Sequence, residues 1–283
     1  MDIFEIITTP LQYPFMVKAI LVSSVVGAVC ALLSCFLILK GWSLLGDAIS
    51  HAVLPGVVLA YIIGIPFSIG AFVFALLAVF MIGNIKTNTK IKEDAVMGIV
   101  FTMLFALGLV LISRTVSTVD LMHVLFGYVL GISDSAAWYT IGVSVLVAAV
   151  IIAFRRTLLL YCFDAIHMQS IGINAKVVHY FLLILLAITI TVSLQTVGII
   201  LVIAMLITPG ATAFVLTKRF PYMLAIATVV SVVSSIVGSY LSYYLDVSTG
   251  GAIVLFQGCL FLGAFGYSVI KTKRVRMLAV KNA

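Results

Sequence analysis

Apolar runs of bilayer-crossing length follow one another along most of this chain and leave it few ways to fold. They fall near 17–39, 44–64, 66–84, 95–113, 136–154, 177–194, 197–217, 222–245 and 250–270. A helix of roughly 20 apolar residues spans the hydrocarbon, and it satisfies its own backbone hydrogen bonds where lipid offers none. Of 283 residues, 64% are hydrophobic and 9% charged. Soluble domains carry roughly 25% charge, so too little polar surface exists here to cover a water-soluble globule. The alternating segments of about ten residues that build an outer-membrane barrel are absent. The expected fold is all-α: one polytopic transmembrane bundle over 1–283 with eight to nine spans, eight if one window is broken or re-entrant.

Charge placement orients the bundle. Lys86/Lys90/Lys92, Arg155/Arg156/Lys176, Lys218/Arg219 and the tail 271–283 form one set of breaks. The other set, at Gly64-Ile65-Pro66, Gln195-Thr196-Val197 and Asp246-Val247-Ser248-Thr249, lacks Lys and Arg. Excess Lys and Arg marks the cytoplasmic side. With nine spans the N-terminus lies outside, and only Lys18 and Arg114 of the sixteen basic residues fall there. A net charge of +7 arranged this way points to the membrane and not to nucleic acid. The first apolar run has an acidic leader (Asp2, Glu5) and no basic flank, so it is expected to be a span and not a removable signal. Cys30, Cys35, Cys162 and Cys259 are scattered through apolar surroundings without metal or disulfide spacing.

Two connections exceed a turn. Residues 114–135 contain a short apolar piece opened by Asp120, expected to be re-entrant or interfacial, with Asp120 as its cap and His123 one turn on. Residues 155–176, on the cytoplasmic side, place Phe163, Ile166, Ser170 and Ile171 at helical spacing before Gly172. That short helix is either a connector or a surface offered to a cytoplasmic partner.

Between Lys40 and Lys86 no side chain other than Asp47 and His51 can carry a full charge at neutral pH. Positions i and i+4 share a helix face, and ionisable groups within membranes usually face a bundle interior or a water-filled path. A cap, or a neutral Asp–His contact tying two helices, would also explain them. A carboxylate with an imidazole is equally a ligand set for Mn²⁺ or Zn²⁺. Pro55 removes the amide that would bond the His51 carbonyl, and Gly56 makes local unwinding easier. One copy supplies two ligands; a homodimer with the pair on its twofold axis supplies four. Pro209, in Thr208-Pro209-Gly210, similarly frees the Met205 carbonyl, either as an ordinary kink or as part of a pathway wall. The chain has no GxxxxGK[ST], HExxH or GxSxG pattern, so uphill transport would need a partner or an ion gradient.

The stretches SLLGDAISHAVLPGV, DLMHVLFG, FDAIHMQSIGI and AMLITPGATA together resemble the membrane-spanning permease subunits of bacterial manganese/zinc-type ABC importers, over about residues 15–270. The resemblance implies a transport subunit of the bacterial cytoplasmic membrane and not an enzyme. It implies two copies of this chain, two cytoplasmic ATP-binding subunits and an external metal-binding protein. Asp47 and His51 would line the metal path, with Pro55, Met205, Thr208 and Pro209 as further lining. The segment 163–172, with Phe163, Asp164, His167 and Gly172, would be the helix that couples to the ATPase. Mn²⁺ is the expected substrate, with Zn²⁺ or ferrous iron as alternatives and no permanently bound cofactor. A secondary carrier coupled to an ion gradient is the competing class, although no convincing internal repeat supports it.

The charge pattern is testable in intact cells with a membrane-impermeant thiol reagent. Cysteine introduced at Val247 is expected to label, and cysteine introduced at Lys90 to label only after the membrane is opened.

Overall fold

The computed structural model describes residues 8–115 and 131–281. Within these residues every regular element is helical, with no strand. Twelve helices succeed one another: α1 (Pro14–Lys40), α2 (Leu45–Ala52), α3 (Leu54–Ile63), α4 (Phe67–Asn88), α5 (Glu93–Arg114) and α6 (Asp134–Ala153), then α7 (Arg155–Phe163), α8 (Ala165–Ser170), α9 (Ala175–Val197), α10 (Ile199–Leu216), α11 (Phe220–Leu245) and α12 (Thr249–Lys281). Nine segments among the described residues are long and apolar enough to cross a membrane, with α2 and α3 together forming one of them. Asp120, His123 and all but the last residue of their apolar piece fall in 116–130, outside the described residues.

Local chemistry sets the helix ends. Pro14 opens α1, where its missing N–H has no helical partner to lose. Gly41 closes α1 in the left-handed conformation (φ 76°), and the Trp42 amide returns to the Leu37 carbonyl at 2.8 Å. The Ser133 hydroxyl caps α6, and the Asn174 side chain caps α9.

Side chains at the two ends confirm the up-and-down threading. At one end Lys18 near the start of α1 pairs with Asp134 at the start of α6, and Gln195 on α9 donates to Ser68 on α4 at 2.8 Å. At the other end Lys40 donates to the Tyr161 carbonyl at 3.3 Å, and the Tyr161 hydroxyl lies 2.8 Å from His179 Nδ1 on α9. The first end gathers connections poor in Lys and Arg, the second the basic ones, as the charge pattern requires.

Three spans form the interior. The apolar windows of α1, α2–α3 and α9 are 72%, 67% and 67% buried, against 28% for α5 and α6 and 17% for α12. In lipid no hydrophobic drive separates core from surroundings, so helices associate by close packing of small residues. Gly27 on α1 sits against Ser231 and Ser235 of α11, and Ser235 donates to the Ser23 carbonyl at 3.1 Å. Gly238 lies against the Ile253 backbone of α12. The tightest approach is α3 on α4: a Cβ built on Gly56 would stand 2.2 Å from the Gly70 carbonyl oxygen, and one on Gly70 would stand 2.1 Å from that of Gly56.

Gly56→Ala is therefore expected to destabilise the fold by roughly 2–3 kcal/mol, since neither backbone can retreat without moving its helix. Gly98→Ala, whose Cβ would meet open space, is expected to be neutral or mildly stabilising. Unfolding of both variants in mixed micelles measures the difference.

Candidate metal site and the cytoplasmic helix that adjoins it

Asp47 and His51 occupy successive turns of α2, on one face, with Asp47 Oδ1 3.3 Å from His51 Nε2. The separation is loose for a hydrogen bond, and the side chains keep 37% and 27% of their exposure. Both groups are thus held near each other but remain accessible. His51 lies among aromatic rings of α5: its ring centroid is 5.0 Å from Phe101 and 5.2 Å, edge-on, from Phe105. His51 Nδ1 is buried and has no hydrogen-bond partner. One nitrogen therefore faces the carboxylate, while the other is enclosed beside hydrocarbon that cannot satisfy it. Among the described residues no third His, Cys, Asp or Glu joins the pair.

The elements around the pair explain its placement. Gly46 lets α2 approach Leu206 of α10, where an added Cβ would meet Leu206 Cδ1 at 3.1 Å. The helix is interrupted at Val53, two residues before Pro55, which has no amide to bond the His51 carbonyl. Val53 keeps helical angles (φ −67°, ψ −26°), and the Val57 amide bonds the Val53 carbonyl at 3.0 Å. The interruption is a missing bond without a bend. Gly56 serves the backbone-to-backbone contact with Gly70 described above; the unwinding anticipated from its residue type is not seen, because α3 continues through it.

The second proline is stitched in a different way. Ser34 of α1 accepts the Gly210 amide at 3.0 Å and donates to the Ile207 carbonyl at 3.2 Å. A serine of the neighbouring helix thus meets backbone groups on either side of Pro209, and α10 remains one helix. Met205 is fully buried with its methyl beside Gly27, Pro209 is buried, and Thr208 is half-buried.

The cytoplasmic connection holds two helices, where the spacing of apolar residues signals one. Arg155–Phe163 forms α7, and α8 is limited to Ala165–Ser170. Asp164 separates them and caps α8, accepting from the Ile166 and His167 amides at 3.0 and 2.8 Å. Gly172 (φ 81°) turns the chain out of α8. Phe163 and Ile166 are 71% and 82% exposed, while Met168 is buried. The inner face of α7 is anchored: the Lys40 ammonium lies 4.2 Å from the Tyr161 ring centroid, Trp42 packs edge-on to His179, and Cys162 Sγ contacts the Phe36 carbonyl at 3.8 Å. Burial pushes the Tyr161 hydroxyl above its usual range. Burial likewise raises the Cys162 thiol to about 11, partly offset by the Lys40 charge. The metal pair lies on α2 and the exposed apolar residues on α7 and α8; α9 packs against all three helices. Sequence reasoning missed Phe101 and Phe105, whose i, i+4 spacing was visible but whose partner was not, and the Lys40–Tyr161–His179 cluster.

Known proteins are similar to this chain over most of its length. A family model described as the ABC 3 transport family matches residues 12–268. The manganese transport system membrane protein MntB of Synechocystis is 54% identical over 92% of this chain and 87% of its own length. The chelated iron transport system membrane protein YfeD of Yersinia pestis is 50% identical over 98% of this chain and 93% of its own. The solved structure of PsaBC from Streptococcus pneumoniae in complex with Fab superposes with a TM-score of 0.83 at 39% identity, covering 93% of this chain and 95% of that one.

The thiol of Cys162 offers a check on how firmly α7 is seated. In a variant with the other three cysteines replaced, alkylation by a maleimide is expected to be slow at pH 8, where only about one thiol in a thousand is ionised. The rate should rise about tenfold per pH unit until close to pH 11. A plateau already by pH 9 would mean that Tyr161 and Cys162 are not buried as described.

Proposed function

The chain belongs to the ABC 3 transport family, and from that premise we propose that it is the permease of an ATP-driven importer whose substrate is the manganous ion. Family membership makes it a multi-pass membrane protein of a transport system and not an enzyme. The observation that carries the metal reading is the Asp47–His51 pair: two ligand groups 3.3 Å apart on a mostly buried span that holds no other side chain able to carry a full charge at neutral pH. Oxygen and nitrogen donors suit divalent first-row ions. The 54% identical relative is named for manganese transport. Ferrous iron is the second reading, favoured by a relative named for chelated iron at 50% identity.

Two ligands are too few for a coordination shell, and partial exposure of both side chains leaves them accessible to a second copy. A homodimer meeting on this face would contribute two carboxylates and two imidazoles. Met205, Pro55, Thr208 and Pro209 shape the helices that wall the path beside that site. On the cytoplasmic side, Phe163 at the end of α7 and Ile166 on the capped α8 present apolar surface, the form in which a short helix enters a partner's groove. We assign this surface, with Asp164, His167 and Gly172, to a cytoplasmic ATP-binding subunit, two copies per transporter. An external metal-binding protein delivers the ion. Closure of the ATPases pushes on α7–α8, and the anchors from Tyr161 to Lys40 and His179 pass that push to α1 and α9. Access to the pair then alternates from outside to inside. Family membership favours this coupling over an ion-coupled carrier.

Radiomanganese uptake, in cells lacking their own importer and co-expressing the ATP-binding partner, tests the reading. Removing groups that merely orient a ligand costs 10–100-fold, so Asp47→Ala and His51→Ala are each expected to lower uptake by about 100-fold or more. Uptake should also fall on acidification, because protons compete with the metal for the imidazole. Unchanged uptake in both variants would overturn the assignment, and preferential uptake of ferrous iron would replace manganese.

A further inference from the structure

A cavity of 560 Å³ lies at the cytoplasmic end of the bundle, between α4, α5, α9 and the turn from α1 into α2. Its volume falls within the range of small-ligand pockets, about 300–1,000 Å³. Its apolar wall includes the buried side chains of Val79, Ile82 and Leu183. Its polar side carries Lys86, Lys176 and Glu93, of which both lysines are exposed.

Two features of this lining call for an anion. Neither lysine forms an ion pair among the described residues, and Lys86 Nζ reaches the Ile91 carbonyl only at 3.5 Å. Glu93 lies in the first turn of α5, where the helix dipole favours its charge, and its single carboxylate against two lysines leaves the lining net positive. Trp42, 3% exposed, lines the same cavity, and its indole N–H is a buried donor with no hydrogen-bond partner. A donor of that kind needs an acceptor, and none of the surrounding side chains supplies one.

We propose that this cavity binds the phosphate head group of an anionic phospholipid from the cytoplasmic leaflet. Basic pockets between transmembrane helices on that side of a membrane suit such head groups. Lys86 and Lys176 meet the phosphate, the Trp42 ring forms part of the wall beside it, and the glycerol and first methylenes lie along Val79, Ile82 and Leu183. The apolar wall selects a lipid over free phosphate, which would leave that wall facing water. A lipid seated here touches both Tyr161 on α7 and Met97 on α5, one turn from the Phe101 ring that packs on His51. It therefore braces the cytoplasmic helix and the metal pair from a single point. The site stands whichever ion the chain carries.

The chain has two tryptophans, Trp42 and Trp138, and the second is 72% exposed. In the full chain carrying Trp138→Phe, delipidated in detergent, Trp42 is the only indole reporter. Dihexanoylphosphatidylglycerol is expected to change its emission saturably, with dihexanoylphosphatidylcholine needing far higher concentration. The double substitution Lys86→Gln/Lys176→Gln should raise the phosphatidylglycerol midpoint roughly 30-fold, each basic residue being worth about fivefold. Lys86→Arg/Lys176→Arg should restore it. An equal response to phosphatidylcholine, or a midpoint unmoved by the glutamine pair, would overturn the proposal. The same response to inorganic phosphate alone would overturn the lipid as ligand.

Discussion

A bilayer accepts no hydrogen bond, and every amide placed in it must find its partner within the protein. The rest of this architecture answers that demand. Helices satisfy it residue by residue, and the two prolines inside spans are where it is not met automatically. At Pro209 the Ser34 hydroxyl of the adjacent helix both accepts and donates, so α10 runs on unbroken. At Pro55 the chain keeps helical angles and loses one bond. The serine-rich seam of α11 obeys the same rule, its hydroxyls returning to carbonyls one turn earlier, as from Ser234 to Val230 and from Ser239 to Ser235. Small polar residues can then line a contact between helices with most of their hydroxyls paired, Ser231 beside Gly27 being an exception.

Charge is rationed accordingly. Lys18 and Asp134 hold each other at one end of the bundle, and Lys40 lies over an aromatic ring at the other. Asp47 and His51 stand in the first two turns of an interior span, without a third partner among the described residues. Such a pair is expensive to keep apart from water. Its loose separation and partial exposure suit a site that receives an ion and gives it up again.

Much of this fold was legible in the sequence because membranes reduce the folding problem to length and polarity. Each of the nine apolar windows corresponds to a span, with ends displaced by a few residues where caps such as Ser133 and Asn174 set the boundary. The Asp47–His51 face followed from helical spacing alone. What escaped depends on distant neighbours. The helix at Arg155–Phe163 was hidden because Arg155 and Arg156 make its start look like a loop, and its stability comes from Tyr161 meeting His179 and Lys40, residues 18 and 121 positions away. Phe101 and Phe105 have the spacing of one helix face, but nothing in the chain says that the face meets an imidazole. Gly56 looked like a weak point beside a proline and is instead a contact.

That contact has a mechanical corollary. Where two backbones touch with no side chains between them, a slip of one residue along either axis would drive a methyl or larger group into a carbonyl oxygen. Gly56 and Gly70 thus act as a fixed pin joining α3 to α4. The bond missing beside Val53 lies between this pin and the segment that bears Asp47 and His51, so the span is held more firmly beyond that residue than at it.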